Sequence, residues 1–363
     1  MFEQICTFES LLAAYGKARL DNRYKQSVCA FSFALEQNIF RLRWELQTDH
    51  YVPRPYTYFT LHEPKIRKIA APDFRDRVIQ HALVAVIQPL FEKQFILDSY
   101  ACRKDKGTHF AVRRVKKFLM AARSKHGKQV PMYVLQCDIR KFFQSISWNT
   151  LLTIIGKTIT CPKTSALICT IVTTHTPLPA HTAISPQLSL FSANTHADDA
   201  SISVAARTGV PIGNLTSQLF ANIYLNELDH FIKDSLRVHW YARYMDDFLI
   251  LHHDRTYLAT LRDTIREYLR TELQLSLHPK KLTIKNTSTG VPFVGYRIFY
   301  DHVLVRGNTL RRIERTYRAR VRQVKHGHVS AQKLAETKAS IIGHLKHANT
   351  YGLTKSLLKK RVL

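Results

Sequence analysis

Three aspartates stand where the surrounding residues leave little room for negative charge. Val134-Leu135-Gln136-Cys137-Asp138-Ile139 reads as a short apolar strand with one acid near its end, and Arg140-Lys141-Phe142-Phe143 then opens a helical pattern. An aspartate leaving a buried strand is costly unless it is paired or bound to a cation. Alone, it serves equally well as a helix N-cap. Further on, His239 to Tyr244 and Phe248 to Leu251 read as two apolar strands joined by the tight turn Met245-Asp246-Asp247. Adjacent aspartates are common turn formers, yet these two are flanked on both sides by residues of buried type. A hairpin packed beside the Asp138 strand brings three carboxylates together. Such hard oxygen ligands suit Mg²⁺ completed by substrate phosphates. Two ions about 4 Å apart activate an attacking hydroxyl and stabilise a leaving pyrophosphate.

The elements that must position these acids lie in a stretch from Val130 to about Phe299, where apolar strands alternate with helices. Before it, Leu35 to Leu46 and Val78 to Leu90 repeat apolar residues at helical spacing, the second as far as Pro89. Tyr51 to Tyr58, aromatic and punctuated by proline, reads as extended chain. Ser99 to Arg123 is strongly basic. Thr174 to Ala206 is rich in Ser, Thr, Ala, His and Pro and reads as an inserted loop. From His302 to Leu363, fifteen Lys or Arg face two acids, Glu314 and Glu336. There Arg311, Arg315, Arg318 and Arg322 share a helical face on which the acids that make i,i+4 pairs are nearly absent. That face predicts contact with a phosphate backbone; a solvated surface is the plainer alternative.

The whole chain has the same bias. Its 363 residues carry 54 Lys and Arg against 27 Asp and Glu, a formal charge of +27 that suits a polyanionic partner. With 45% hydrophobic residues it can bury a core, which excludes wholesale disorder. The six cysteines form no CxxC pair, disfavouring structural zinc and a disulfide framework. Met1 to Cys6 lacks the charged start and apolar run of a signal peptide, and no stretch reads as a membrane span. These features predict a soluble, cytoplasmic protein with no membrane partner.

Tyr244-Met245-Asp246-Asp247 in an apolar hairpin, 108 residues after the aspartate of Asp138-Ile139-Arg140-Lys141-Phe142-Phe143, resembles the palm of a reverse transcriptase. The resemblance runs from about Lys65 to Tyr300. It implies an α+β right-hand polymerase fold, with an N-terminal region and fingers over 1–129, a palm with remaining fingers elements over 130–300, an insertion near 174–206 and a basic helical thumb over 301–363. By it, Asp138 and Asp246 ligate two Mg²⁺ ions, for which Mn²⁺ can substitute, with Asp247 as a supporting acid. Lys65 to Ile69, running into Pro72 to Arg77, resembles the fingers segment that grips the incoming triphosphate, implying Arg67 first, then Lys65 and Arg75. Ser99 to Lys104 with Lys106-Gly107-Thr108 resembles the motif that cradles template, implying Arg103, Lys104 and Lys106, with Gly107 allowing close backbone approach. Leu277 to Lys281 resembles the segment in which a lysine, here Lys281, protonates pyrophosphate. Phe293-Val294-Gly295-Tyr296 resembles the primer-grip turn. Phe143 stands where the family places a bulky residue beneath the sugar, favouring deoxynucleotides; a core phenylalanine is compatible with the same pattern.

Gly209 to Gln218 is the most discriminating segment. Most reverse transcriptases carry Gln-Gly here, followed three residues later by Ser-Pro; this chain has Ile212-Gly213 and Ser217-Gln218. Leu219 to Leu236 then reads as an amphipathic helix. The departure resembles the bacterial and phage reverse transcriptases of diversity-generating retroelements, which copy template adenines unfaithfully. The partners it implies are template RNA, the RNA–cDNA duplex, deoxynucleoside triphosphates and a small basic accessory protein oligomer. The alternatives are a group II intron, retron or phage-defence enzyme of ordinary fidelity, a non-catalytic nucleic-acid-binding protein on a polymerase scaffold, and a two-metal nuclease.

Overall fold

The computed structural model describes residues 1–62, 66–174 and 208–359, with side chains as far as 355. The expected insertion near 174–206 lies outside the described residues from 175 onward, and so does Lys65. Four helices open the chain: α1 (Phe2–Cys6), α2 (Phe8–Ala18), α3 (Gln26–Phe33) and α4 (Leu35–Gln47). Thr7 caps α2, its hydroxyl accepting from the Ser10 amide at 3.1 Å. A hairpin of β1 (Thr57–Leu61) and β2 (Arg67–Ala71) leads to α5 (Phe74–Glu92), capped by Asp73. The apolar pattern suggests that α5 stops at Pro89, but the helix runs three residues further, because buried Ile87 and Phe91 hold its last turn in the core and the proline removes only one backbone bond.

The long α6 (Thr108–His126) is entered through Gly107 and left through Gly127, at φ 92° and 87°, a region that glycine adopts without strain. There follow β3 (Tyr133–Asp138), α7 (Phe142–Ser145), α8 (Trp148–Gly156), α9 (Pro162–Thr173) and α10 (Leu215–His230). The acidic hairpin is β4 (Trp240–Tyr244) and β5 (Asp247–His252), followed by α11 (Arg255–Thr271) and β6 (Thr283–Asn286). The chain ends with β7 (Val291–Phe293), β8 (Tyr296–Ile298), β9 (Val303–Val305), α12 (Gly307–Lys325), α13 (Ala331–Leu345) and α14 (Tyr351–Lys359).

These elements form two compact units, each assembled from three segments. The first comprises Met1–Phe95, Arg140–Asp229 and Tyr268–Ser276. Within it α2 packs on α5, and Tyr15, Phe31 and Phe74 bring their rings together at 5.4–6.1 Å, joining α2, α3 and α5. The amphipathic helix expected over Leu219 to Leu236 is instead α10, starting at Leu215, ending at His230 and followed by one π-helical turn, Phe231–Ser235. It is not amphipathic: Thr216, Ser217, Asn222, Asn226 and Asp229 are buried along with its apolar residues.

The second unit comprises Ile96–Ile139, His230–Glu267 and Leu277–Leu363. Its main sheet is antiparallel in the order β4-β5-β3-β6, and a smaller one follows in the order β7-β8-β9. The core packs α6, through Val115, Phe118 and Leu119, with Trp240 and Leu249 of the main sheet and Phe293 and Ile298 of the smaller one. Ile313 and Tyr317 of α12 meet Ile341 and Leu345 of α13 in a separate apolar cluster.

Ser99 bridges Arg243 on the edge of β4, where the Tyr100 amide donates to the Arg243 carbonyl at 3.1 Å and the Arg243 amide to the Asp98 carbonyl at 2.9 Å. Buried Asp98 fixes this loop, accepting from the Tyr100 hydroxyl at 2.7 Å and from Arg114 at 2.7 and 3.3 Å. Asp98→Ala leaves a guanidinium and a phenol without their acceptor. Because Arg114 is partly exposed, the expected loss is about 2–3 kcal/mol, below that of a wholly buried pair. Urea denaturation measures it, and a loss under about 0.5 kcal/mol, the size of an ordinary surface change, removes this role for Asp98.

Candidate active site

The strands β3 and β5 form because Val134, Leu135 and Cys137 on one, and Phe248 to Leu251 on the other, are buried. Their antiparallel register places Asp138 directly opposite Asp247. Tyr244 pairs with Asp247 across the hairpin, which leaves Met245 and Asp246 as the turn itself. Met245 takes a left-handed φ of 57°, unusual for a residue with a side chain and worth about 1–3 kcal/mol of local strain. Three staples hold it. Buried Arg243 donates to the Met245 carbonyl at 3.2 Å, the Ile139 amide donates to the Asp246 carbonyl at 3.1 Å, and the His278 amide donates to the Asp138 carbonyl at 2.7 Å. The backbone thus binds the hairpin, the end of β3 and the segment before β6 into one frame.

Like charges directly opposite on a ladder repel. Burial, then the charges of Asp138 and Asp246, push the Asp247 carboxyl up to about 7, against the opposing pull of Lys281 and Arg306. The Lys281 ammonium, on the 3-10 turn Pro279–Lys281, pairs directly with Asp138. Arg306 precedes α12, and its amide donates to the Gly295 carbonyl at 3.1 Å, anchoring that helix to the Val294-Gly295 turn of β7–β8. Among the described residues no three acidic, histidine or cysteine side chains close around a single ion. An open set of carboxylates is nevertheless what Mg²⁺ commonly uses, one or two from protein and the rest from water and substrate phosphate. Mutually repelling carboxylates at one end of the sheet fit such a cation.

In the first unit three residues expected at the nucleotide lie close in the backbone network. The Ala70 amide of β2 donates to the Ile212 carbonyl at 3.3 Å, and the Val210 amide to the Phe143 carbonyl at 2.8 Å. Gly213 has a φ of 117°, and a Cβ there would stand 2.9 Å from Ile69 Cγ2, so close passage of this loop over β2 requires glycine. Trp148 donates to the Gly209 carbonyl at 2.6 Å, and buried Asn214 to the Tyr56 hydroxyl at 3.0 Å. Arg67 and Ile212 are respectively exposed and half-buried, and Phe143 is half-buried against Phe142 at 5.5 Å. Arg75 is placed differently: it pairs with Glu45 and lies 3.6 Å from Asp76, its side chain 12% exposed.

The reverse transcriptase (RNA-dependent DNA polymerase) family matches residues 61–298, well over half of the chain. The chain belongs to this family. By class, this reverse transcriptase is an RNA-directed DNA polymerase of a group that depends on divalent metal. It is 26% identical over 292 residues to protein YkfC of Escherichia coli K12, covering 71% of this chain and 70% of that one. It is 26% identical over 200 residues to the group II intron-encoded protein LtrA of Lactococcus lactis subsp. cremoris, covering 54% of this chain but 28% of LtrA. Apo telomerase from Candida tropicalis shares its fold at a TM-score of 0.51 and 11% identity, over 89% of this chain and 64% of that one. The right-hand polymerase fold is the architecture of this reverse transcriptase.

Other residues expected to touch nucleic acid are placed as follows. Arg103 donates to the Ile96 and Ser99 carbonyls at 2.6 and 2.9 Å, and Lys106 to the Leu97 carbonyl at 2.8 Å. Both therefore brace their own loop, while Lys104 is exposed and Gly107 opens α6. Gln218 is half-buried on α10. Arg311, Arg315, Arg318 and Arg322 are all exposed on α12, away from its Ile313–Tyr317 stripe, and Arg318 lies 3.9 Å from Glu314. Sequence reasoning missed Arg243 and Arg306, since nothing in a lone arginine says that it will be buried under a turn or aimed at a carboxylate. No helix among the described residues is long and apolar enough to cross a membrane.

The Asp247 carboxyl makes stability depend on pH. Its ordinary value is 3.8, and the folded state holds it near 7. Between those values the folded chain binds a proton that the unfolded chain has lost, so stability falls as pH rises from about 4 to about 7 and is flat above. Asp247→Asn removes this slope, so in chelating buffer the variant should melt increasingly above the wild type across that window. Parallel melting curves for the two proteins over the window would contradict the assignment of the shift to Asp247.

Proposed function

We propose that the chain copies a template RNA into cDNA by template-directed addition of deoxynucleotides to a 3′ hydroxyl, with Asp138, Asp246 and Asp247 at the reacting centre. The observation that carries this reading is the register of Asp138 against Asp247 with Asp246 in the adjoining turn, inside a chain of the reverse transcriptase family. Asp138, Asp246 and Asp247 would hold two Mg²⁺ ions, whose charge would lower the pKa of the attacking hydroxyl and neutralise the leaving pyrophosphate. Lys281, already at Asp138, carries the proton for that leaving group. Arg67 binds the triphosphate, Phe143 excludes the 2′ hydroxyl, and Ile212-Gly213 lies against the nascent pair. The fingers span 1–129, the palm 130–300 and the thumb 301–363, where α12 presents its arginines to the duplex phosphates. Arg75, engaged with Glu45, supports the fingers in place of gripping phosphate.

Asp246→Asn should cut primer extension by at least about 10³-fold, in line with losing an electrostatic contribution of roughly 4 kcal/mol. Binding of primed template, measured by fluorescence anisotropy in chelating buffer, should remain within about threefold, below the roughly 1 kcal/mol of one lost contact. Extension at near wild-type rate would remove the carboxylate assignment.

The finer reading is a polymerase of the diversity-generating type, working with a small basic accessory protein. Ile212 supports it. An apolar side chain cannot supply the hydrogen bonds of the glutamine that related polymerases carry, so a correct pair loses part of its advantage. Each lost contact is worth about 0.5–1.5 kcal/mol, or roughly two- to twelve-fold in discrimination. The weakness at adenine in particular comes from the resemblance. The likeness to LtrA favours a second reading, an intron-type enzyme of ordinary fidelity. Deep sequencing of cDNA from a template of balanced composition separates the two: errors concentrated opposite adenine and reduced by Ile212→Gln support the first. Errors spread evenly over the four bases support the second.

A further inference from the structure

The end of the β4–β5 hairpin remote from the acidic turn carries a different chemistry. Trp240 pairs with Leu251 there, four residues from the Tyr244–Asp247 pair. Four rings lie in series beside it: Tyr257 tilted against His252 at 4.3 Å, His252 tilted against His253 at 4.3 Å, and His253 stacked on His126 at 4.4 Å. His126 then meets the edge of Trp240 at 5.8 Å, and the Lys125 ammonium lies over the Trp240 ring at 5.9 Å. These residues border a cavity of about 170 Å³ that also takes in Arg237 and has no acidic residue in its lining. The stacked rings do not converge their nitrogens on a common point, and His252 Nδ1 already accepts from the Asp254 amide at 3.0 Å. The cluster is therefore a row of aromatic faces and not a metal cage.

Its surroundings favour an anion. The nearest acid, Asp254, is spent on the amides of Thr256 and Tyr257 that begin α11. The nineteen residues of α6, which delivers His126, include no acid at all. Lys125 precedes His126 at the end of α6, and Lys128 is exposed just beyond it, so cationic groups stand beside the rings. Burial, with the neighbouring His253 and His126 rings, holds the His252 ring below its ordinary pKa against the opposing hydrogen bond and charge of Asp254. The cavity is smaller than the roughly 300–1,000 Å³ of sites that enclose whole small molecules. It has room for one base.

We propose that this row of rings, with Lys125 and Arg237 at the cavity, forms an anchor for single-stranded RNA, distinct from the three aspartates. An unpaired base inserts beside Trp240 against exposed Tyr257 and His253, while Lys125, Arg237 and Lys128 carry the flanking phosphates. Aromatic faces read single strands because duplex bases have no free face to offer. The anchor does not depend on the polymerase reading. It allows a part of the RNA that is not being copied to stay attached while the template moves.

The test compares the full chain with the variant Lys125→Ala, His126→Ala, His253→Ala, Tyr257→Ala. The probe is a fluorescent 20-nucleotide single-stranded RNA of mixed sequence, with an RNA–DNA duplex of the same length alongside. Single-strand affinity should fall by about tenfold or more, as for loss of a stacked base, while the duplex affinity changes far less. Tyr257→Phe should keep wild-type affinity and Tyr257→Ala lose part of it. Photo-crosslinking with 4-thiouridine RNA should label peptides containing Tyr257, His253 or Trp240. Equal affinities in variant and wild type, crosslinks confined elsewhere, or equal losses for duplex and single strand would each overturn the anchor. So would displacement of a poly-glutamate peptide as readily as RNA, which would make the patch a site for acidic protein.

Discussion

The structure of the second unit is organised around a repulsion. Register sets two carboxylates opposite each other at the end of β3 and β5, and the turn adds a third. The strands themselves gain nothing from this: their stability comes from the apolar residues behind, Val134, Leu135 and Phe248 to Leu251, which are buried. What keeps the acids in place is a set of bonds made by backbone rather than by the acids. Carbonyls of Asp138, Met245 and Asp246 each accept one donor from a different part of the chain. The carboxylate oxygens are thereby left for cations, and the chain supplies two of its own in Lys281 and Arg306. A frame of this kind concentrates negative charge without unfolding, and it is the pre-organisation that electrostatic catalysis requires.

The first unit solves a different problem by close packing. Gly213 permits a loop to pass where a Cβ would meet Ile69, and the carbonyls of Phe143, Ile146, Gly209 and Ile212 are all taken by backbone or indole donors. Phe143 and Ile212 thus sit on a lattice with little freedom to shift. The selectivity proposed for them, for sugar and for pairing, depends on shape more than on charge. A rigid support matters there because a displacement of about 1 Å is enough to spoil reactive alignment.

Much of this was legible in the residues. Strands β3, β4 and β5 follow from apolar runs bounded by turn formers, and α12 from the spacing of its arginines, because local patterns of period 2 and 3.6 survive in the fold. Other features depend on partners distant in sequence and leave no local mark. Arg75 looks like a triphosphate ligand until Glu45, thirty residues earlier, takes its guanidinium. That Arg103 and Lys106 also brace carbonyls of the preceding loop is equally unmarked in the local pattern. The buried polar residues of α10 likewise reveal nothing in sequence of the burial on its second face. The interleaving of the units is the largest such feature, since each change of unit falls inside a stretch that reads as continuous, Ile139-Arg140 above all.

The charge of +27 takes on meaning when it is divided among elements. Half of the acids in the second unit are employed at a few places: Asp98 in a loop, Asp254 and Asp263 in local hydrogen bonds at α11, and Asp138, Asp246 and Asp247 at the β3–β5 end. The cations are not matched to them. Those on α6 and α12 stand on helices whose opposite faces are held by apolar packing, through Val115 and Phe118 in one case and Ile313 and Tyr317 in the other. Apolar burial on one side therefore carries the repulsion presented on the other, and the unit stays folded although its cations outnumber its acids. Such a surface costs stability in the free protein and recovers it when counterions are released on binding a polyanion. Binding of any polyanion would in this way stabilise the fold through charge alone.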